Sequence, residues 1–529
     1  MKRIFRRALV AIALSSFALP EAHATTYTVN TSSDSVVANA CANHQAGCSL
    51  RGAIQEANAH SGDTIVFNIF EFCGSGGCVI NLLSALPDIS ASISISGPST
   101  HAIQRSSSAA TNFRVFNVTV ATTGTVNISD LTIKQGSSSA NGGGLQNSTG
   151  TLNVINCVFQ GNVANNGGGI SCNGLVNVTN CTFTGNIATN GGGIYNDGGT
   201  LNVANCTFTG NKAGGDGGGI ANDHYRTANV SNSTFIGNSA NEGDPTASGG
   251  GAICNGDHNH SQGGFLTVTN TTITGNSALR CGGISTAGGA AAGLLTVTNS
   301  TIVGNSSFFS DSAGGISKDG EGAPVNIKNT IVALNTGAAG GRDVFSAFVS
   351  SGFNLIGKIE GSTGFTAPTD LTGTIASPLD PKLDPAGLQN NGGPTQTIAL
   401  LPGSPALDKG TSSGLTGNLT SDQRGANFAR ALDYTNIANA PGGDSADIGA
   451  CEGTRVQITS MTHLANGHIL LQGLGFPSRA HAVEISPDLS PGSFSPLPLT
   501  AAADGTGVLQ YDDSTAVGLP KHFYRLRFP

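Results

Sequence analysis

One phrase of the chain returns again and again, and this repetition decides what the chain can fold into. Leu152-Asn-Val-Ile-Asn-Cys-Val-Phe-Gln-Gly-Asn162 recurs at residues 176–186, 201–211, 228–238, 266–276, 295–305 and 325–335, with a looser copy at 126–136. The inner asparagines of the phrase, Asn156, Asn180, Asn205, Asn232, Asn270, Asn299 and Asn329, follow one another at intervals of 24 to 38 residues. Between the copies stands a second phrase, Gly167-Gly-Gly-Ile170, repeated at 191–194, 217–220, 249–253, 282–284 and 314–316. A period in the twenties marks a solenoid, in which each unit buries its apolar face against its neighbours.

Inside one unit, Leu152 and Val154, then Cys157 and Phe159, alternate with polar residues, which is the period of a half-buried strand. Asn156 interrupts the alternation and marks a bend. Gly161-Asn162 is a second turn, because both residue types tolerate the left-handed conformation. The Gly-Gly-Gly-Ile phrase supplies a third strand. Three strands per coil predict an all-β right-handed parallel β-helix, whose ten or so coils would make a rod of roughly 50 Å. A leucine-rich repeat would need several leucines per unit, and a calcium-binding nonapeptide helix would need Gly-Gly-x-Gly-x-Asp; neither pattern stands here.

Stacking gives each column a purpose. The seven inner asparagines are expected to chain their amides into a ladder at the inter-strand spacing. The next column, Cys157, Cys181, Cys206, Ser233, Thr271, Ser300 and Thr330, is small throughout, and its cysteines read as core fillers. Two places on, Phe159, Phe183, Phe208, Phe235, Ile273, Ile302 and Val332 form an apolar stack.

The ends differ from the repeats. Lys2, Arg3, Arg6 and Arg7, an apolar run from Ala8 to Leu19 and Ala22-His23-Ala24 read as a signal peptide over residues 1–24. The cysteines Cys41/Cys48 and Cys73/Cys78 are spaced for small-loop disulfides, as export allows, and the odd total of 11 leaves a thiol unpaired. Ser49 to Asn58 reads as a short N-terminal capping helix, with Leu50, Ala53, Ile54 and Ala57 on the first coil and Ser49 as N-cap. Residues 25–115 are read as the cap and first coils, 116–360 as the repeats, 361–452 as a following segment and 453–529 as a small C-terminal β-sandwich. Beyond the leader no apolar run approaches the ~20 residues of a membrane span. The formal charge of −8 becomes more negative once the leader is removed, which disfavours nucleic acid or an anionic membrane as partner.

Several motifs carry a resemblance. Gly-Gly-Gly-Ile alternating with Phe183-Thr-Gly-Asn186 and Phe208-Thr-Gly-Asn211 resembles the GGAI and FxxN repeats of polymorphic outer-membrane proteins, which are adhesin-like β-helices. Cys48-Ser-Leu-Arg-Gly-Ala-Ile54 resembles the CSLREA motif of bacterial surface β-helix proteins; Gly52 stands where that motif has the glutamate of a capping box. Asp380-Pro-Lys-Leu383, Asn391-Gly-Gly-Pro394, Leu401 to Asp408, Asp422-Gln-Arg-Gly425 and Asp447-Ile-Gly-Ala450 resemble the choice-of-anchor Q segment that follows such helices. The resemblance implies a secreted, extracellular or outer-membrane surface protein with a binding, adhesion or display role, its partner a glycan, the cell envelope or a host surface. An autotransporter would add a transmembrane barrel, and residues 453–529 hold too few strands for one.

Enzymes also use this fold, so the residues must decide. Asp223, His224, Arg226, Asp257, His258 and His260 are the candidate catalytic groups, and Asp197, Asp223 and Asp257 the candidate calcium ligands, all in loops that follow the Gly-Gly-Gly-Ile phrase. Paired carboxylates beside His or Arg suit a polysaccharide lyase or glycoside hydrolase on acidic polysaccharide. The same residue types also populate solvated turns for local hydrogen bonding. Trp is absent and only Tyr195 and Tyr225 lie in the repeats, so flat faces for sugar stacking are few. The glycine clusters precede no helix and signal no cofactor.

Overall fold

Each coil is a short circuit of strands set by where glycine and asparagine allow the chain to turn. The computed structural model describes residues 24–527 except 69–76, 241–248, 257–262, 288–292, 320–324, 434–436, 454–455, 476–479, 491–492, 505–507 and 518–521. The expected leader, but for Ala24, therefore lies outside the described residues. A representative coil runs through Ile194–Asn196, Thr200–Ala204, Thr207–Thr209 and the two-residue strand Lys212–Ala213. All pair in parallel one coil up and one coil down: Leu201 lies beside Val176 and Ala228, and Phe208 beside Phe183 and Phe235. The phenylalanine strands build a twelve-stranded sheet. The two-residue strands add a six-stranded sheet to the three expected faces; strands so short leave no alternation to read.

The bend is where the sequence places it. Asn156, Asn180, Asn205, Asn232, Asn270, Asn299 and Asn329 all take a left-handed conformation, with φ between 46° and 55°. Asparagine tolerates that region better than other non-glycine residues, and this backbone requirement explains its recurrence. The buried ladder, however, stands in the next turn. Asn156 and Asn180 are exposed, joined by Asn180 Nδ2 donating to Asn156 Oδ1 at 3.2 Å. The continuous buried ladder is Asn162, Asn186, Asn211, Asn238, Asn276, Asn305 and Asn335, all at most 1 % exposed. Asn211 Nδ2 donates to Asn238 Oδ1 at 2.8 Å and to the Phe183 carbonyl at 2.9 Å, while Asn211 Oδ1 accepts from Asn186 Nδ2 at 2.9 Å and from its backbone N at 3.1 Å. Gly161 takes the left-handed φ of 61°, so Asn162 is free to turn its side chain inward. The ladder ends on an acid: Asp343 Oδ1 accepts from Asn335 Nδ2 at 2.9 Å and from its backbone N at 2.8 Å.

Phe159, Phe183, Phe208 and Phe235 stack with centroids 4.5 to 4.9 Å apart and planes within 4°. Parallel register imposes this face-to-face order, which free aromatic pairs avoid. It also explains the glycines: a Cβ on Gly193 would stand 2.9 Å from Phe208 Cδ1 and 2.5 Å from the Gly219 carbonyl oxygen. In the small column Cys181 Sγ accepts from Cys157 N at 3.3 Å, as Ser233 Oγ accepts from Cys206 N at 3.1 Å. Cys157, Cys181 and Cys206 are thus core fillers, and the sulfurs of Cys181 and Cys206 each also accept from a backbone N of the preceding coil. Burial pushes the thiol of Cys172, on another face, up to about 12.

At the N-terminal end, the helix Leu50–Ala57 buries Leu50, Ala53, Ile54 and Ala57, and Ser49 Oγ accepts from Gly52 N at 3.1 Å. Cys41 and Cys48 form a disulfide. Cys78 is also disulfide-bonded, and its expected partner Cys73 lies outside the described residues. Gly52 is buried, and a Cβ there would lie 3.2 Å from Cys41 Sγ. A glutamate at this position would need the disulfide to give by a few tenths of an ångström, a cost to set against the gain of a capping box.

The segment after the helix doubles back along the bend column. Thr395 Oγ1 donates to the Asn232 carbonyl at 3.0 Å, and Asn270 Nδ2 to the Ser421 carbonyl at 3.1 Å. The amide oxygen of Asn299 accepts from Arg430 Nε at 2.8 Å, and Asn329 Nδ2 donates to the Asp447 carbonyl at 2.9 Å. Gln423 Nε2 donates to Thr234 Oγ1 at 2.9 Å, and its Oε1 accepts from Thr272 Oγ1 at 2.6 Å. Beneath it Ile398, Leu400, Leu407 and Ile448 pack on Val303, Ile331 and Leu355. Asp422 pairs with Arg424 at 2.6 Å and Arg430 with Glu452 at 3.3 Å, all four buried. Burial pushes the Asp447 carboxyl up to about 7. Beyond this strap, two three-stranded antiparallel sheets share a core of Ile469, Leu471, Val483, Leu509 and Tyr511, the small C-terminal sandwich.

Two stability predictions follow from the ladder. Asn211→Leu leaves several buried groups unpaired at roughly 1–3 kcal/mol each, so its denaturation midpoint is expected to fall sharply. Asn180→Gly, which keeps the left-handed bend, is expected to change stability by less than about 1 kcal/mol; equal losses in the two variants would contradict the placement of the ladder.

Asp343 gives a pH test. Burial raises its carboxyl to about 6 from 3.8. Its proton is held more tightly in the folded chain, so its contribution is full below pH 4 and declines as pH rises through 6, at about 1.4 kcal/mol per pKa unit. Asp343→Asn keeps the acceptor for Asn335 and removes the charge. Thermal melts are expected to show it raising the midpoint at pH 8 and leaving it unchanged at pH 4.

Candidate functional site

The loops that leave the glycine-led strands are aligned by a second buried amide row. Asn196 Nδ2 donates to Asn222 Oδ1 at 2.7 Å, and Asn222 Nδ2 to Asn255 Oδ1 at 2.8 Å. This row fixes the start of each loop. Asp223 N donates to the Asn196 carbonyl at 2.9 Å, and Arg226 N returns to the Asp223 carbonyl at 3.0 Å across two left-handed residues, His224 and Tyr225. The turn folds His224 back over the preceding coil.

There it meets Asp197. His224 Nδ1 contacts Asp197 Oδ1, with both side chains about one-third exposed. Arg226 Nε donates to the Asp197 carbonyl at 2.9 Å. Asp197, His224 and Arg226 therefore form one cluster, while the side chain of Asp223, 3 % exposed, is buried beside it. Chemically, a carboxylate orienting an imidazole is an acid–base arrangement, and a half-exposed guanidinium beside it could face an anionic sugar.

The remaining candidates fall in the next loop of the series. Register pairs Asn222 with Asn255, so the residue beside Asp223 in the next coil is Gly256. Asp257 stands one place further on and, with His258 and His260, lies outside the described residues. Among the described residues no group of three or more His, Cys, Asp or Glu side chains is arranged to hold a metal ion.

A second concavity carries polar groups that sequence reasoning passed over. A cleft of about 310 Å³ on the first coils is lined by Asp88, Arg114, Asn117, Ser138 and Ser139 among others. These coils are irregular and lack the repeat phrase, so no column singles the residues out.

Comparison with known proteins bears on the repeats. The Chlamydia polymorphic membrane protein (Chlamydia_PMP) repeat matches residues 180–197, 205–223 and 232–256, three successive coils that include Asp197, Asp223 and Asn255. No curated protein matches the sequence. Among solved structures, the tailspike protein of E. coli bacteriophage HK620 in complex with a pentasaccharide aligns over 90 % of this chain and 88 % of its own, with 13 % identity and a TM-score of 0.29. A single mutant and a double mutant of that tailspike give 0.27 and 0.26 at the same identity and coverage. Likeness at this level carries no argument about function. No helix among the described residues is long and apolar enough to cross a membrane.

The cluster generates one prediction. Asp197→Ala removes the anchor of a surface turn, and exposed ion pairs of this kind contribute roughly 0–1 kcal/mol. Backbone hydrogen exchange over residues 223–227 is expected to accelerate while the melting midpoint stays nearly constant; a cooperative loss of the whole helix would show that the cluster is part of the core.

Proposed function

We propose that this chain is a cell-surface or secreted β-helix whose flanks bind or display, and that it is not a catalyst. The match of three successive coils to the repeat of a polymorphic membrane protein carries this reading. The exterior agrees with it. Asn153, Asn177, Asn202 and Asn229 form a half-buried to exposed row along one flank, each amide donating to the preceding one at 2.8 to 2.9 Å. Such a row is rigid, uncharged and polar, and presents repeated hydrogen-bonding groups to a glycan or an envelope surface. The residues before Thr25 would direct export, and the strap of residues 380–452 would close the helix flank in the manner of the choice-of-anchor Q segment it resembles.

A second reading is favoured by one observation. The contact between Asp197 and His224 is what a lyase or glycosidase acting on acidic polysaccharide would use to orient a base. Against it, Arg226 Nε is committed to the Asp197 carbonyl, and no metal group neighbours the pair among the described residues. A lyase must neutralise a uronate and hold a base within about 3 Å of its proton.

Assays on pectate, alginate and glycosaminoglycans, with and without calcium, are expected to show neither unsaturated-uronate absorbance nor new reducing ends. Activity that disappears in an Asp197→Asn/His224→Ala double variant would replace the binding reading with the enzymatic one.

A further inference from the structure

The N-terminal helix does more than close the first coil. Arg51 Nη2 pairs with Asp34 Oδ1 at 2.8 Å and donates to the Ser84 carbonyl at 2.8 Å, and its Nη1 donates to the Ala85 carbonyl at 2.5 Å. Asn58 Nδ2 donates to the Asp88 carbonyl at 2.7 Å, and Asn58 Oδ1 accepts from Ser90 N at 2.9 Å. Arg51 of the helix and its C-cap Asn58 thus grip residues 84–90, and this stretch forms part of the lining of the 310 Å³ cleft.

Asn117, on the neighbouring strand, and Arg114 just ahead of it also line the cleft. Asn117 Nδ2 donates to Asp88 Oδ1 at 2.8 Å, and Asn117 Oδ1 accepts from Arg114 Nη1 at 3.1 Å. The amide is therefore used on both sides and fixed in orientation. Arg114 Nε is buried and makes no hydrogen bond. Desolvation lowers the guanidinium below its ordinary range, with Asp88 acting in the opposite sense. The guanidinium thus has a neutral amide as its hydrogen-bond acceptor, and the Asp88 carboxylate acts on it across Asn117 rather than in a direct ion pair. Its planar fork matches a carboxylate in bidentate geometry.

We propose that this cleft binds a uronic-acid residue of an acidic glycan, with Arg114 holding the carboxylate. Asp88, Ser138 and Ser139 supply hydrogen-bonding groups for ring hydroxyls, and Arg51 and Asn58 are positioning residues that hold residues 84–90. The volume is at the small end of ligand pockets and suits one or two sugar units. A uronate fits this set better than an acidic peptide does, because a peptide side chain has one carboxylate and no array of hydroxyls for the Asp88 and serine side. The proposal rests on the surface-binding reading and names a site for it on the coils before the Asp197 cluster.

Calorimetric titration of the purified protein with trigalacturonate, a neutral trisaccharide and triglutamate tests it. Trigalacturonate alone is expected to bind, with affinity falling at least tenfold in Arg114→Gln and falling in Asp88→Asn. Melting curves of each variant confirm that the helix is intact. No binding of trigalacturonate, equal binding of the neutral sugar or of triglutamate, or full binding by a folded Arg114→Gln each overturns the assignment. A glycan array separates the two levels: glycan signals that survive Arg114→Gln leave the surface-binding reading standing without this site, whereas an array and intact-cell assay that are blank for the unmodified protein remove the broader reading as well.

Discussion

A side-chain amide buried at the same corner of every coil is the constraint on which the rest of this structure depends. A parallel β-helix satisfies its strands by pairing them with the coils above and below, but each corner leaves backbone groups without a ladder partner. Here Asn186, Asn211 and their counterparts fill that gap. Each takes the backbone N–H of the preceding coil's asparagine and gives its own amide protons to a carbonyl and to the next Oδ1. Hydrogen bonds of this kind contribute little individually, yet a missing one in a dry interior costs the full desolvation of the orphaned group. The ladder therefore fixes the register of the coils, and register places the phenylalanine stack, the glycine column and the flanking loops.

Both ends of the ladder require a different solution. At the C-terminal end Asp343 takes the acceptor position of an eighth asparagine, and the strap then covers the bend column coil by coil. Hydrophobic packing by Ile398, Leu400 and Ile448 is reinforced by polar groups that read the bend itself, Arg430 on Asn299 and the Asp447 carbonyl on Asn329. At the N-terminal end the helix Leu50–Ala57 covers the first coil with one face and reaches the chain outside it through Arg51 and Asn58. Covering the ends of a solenoid protects exposed strand edges from pairing with another chain.

The repeat made the fold legible because every coil votes on the same pattern. Strand positions, the bend at Asn180 and the inward Phe183 column follow directly from alternation and spacing. Which asparagine column forms the continuous buried ladder did not follow, because Asn180 and Asn186 recur equally well. One recurs for its backbone conformation and the other for its amide, and a sequence does not separate these causes. The loop cluster was partly legible: His224 and Arg226 were read as candidates, and their convergence on Asp197 needed the left-handed turn at His224 and Tyr225. Asp223 and Asp257 both follow the glycine-led phrase, but strand register, which pairs Asn222 with Asn255, sets Gly256 beside Asp223. The Arg114 cleft had little periodic signal, since Asp88, Arg114 and Asn117 come from coils ahead of the first clear copy of the repeat.

These relations give the functional proposals a common physical basis, since a register fixed from inside holds outward groups at constant spacing along the flank. The most direct test of that basis is hydrogen exchange of the asparagine side-chain amides, followed by NMR on the native protein. The account predicts that the amide protons of Asn186, Asn211 and Asn238 exchange only through opening of the helix, orders of magnitude more slowly than those of Asn156 and Asn180 at the exposed bend. Comparable, fast exchange in both columns would contradict a buried ladder as the element that sets the register.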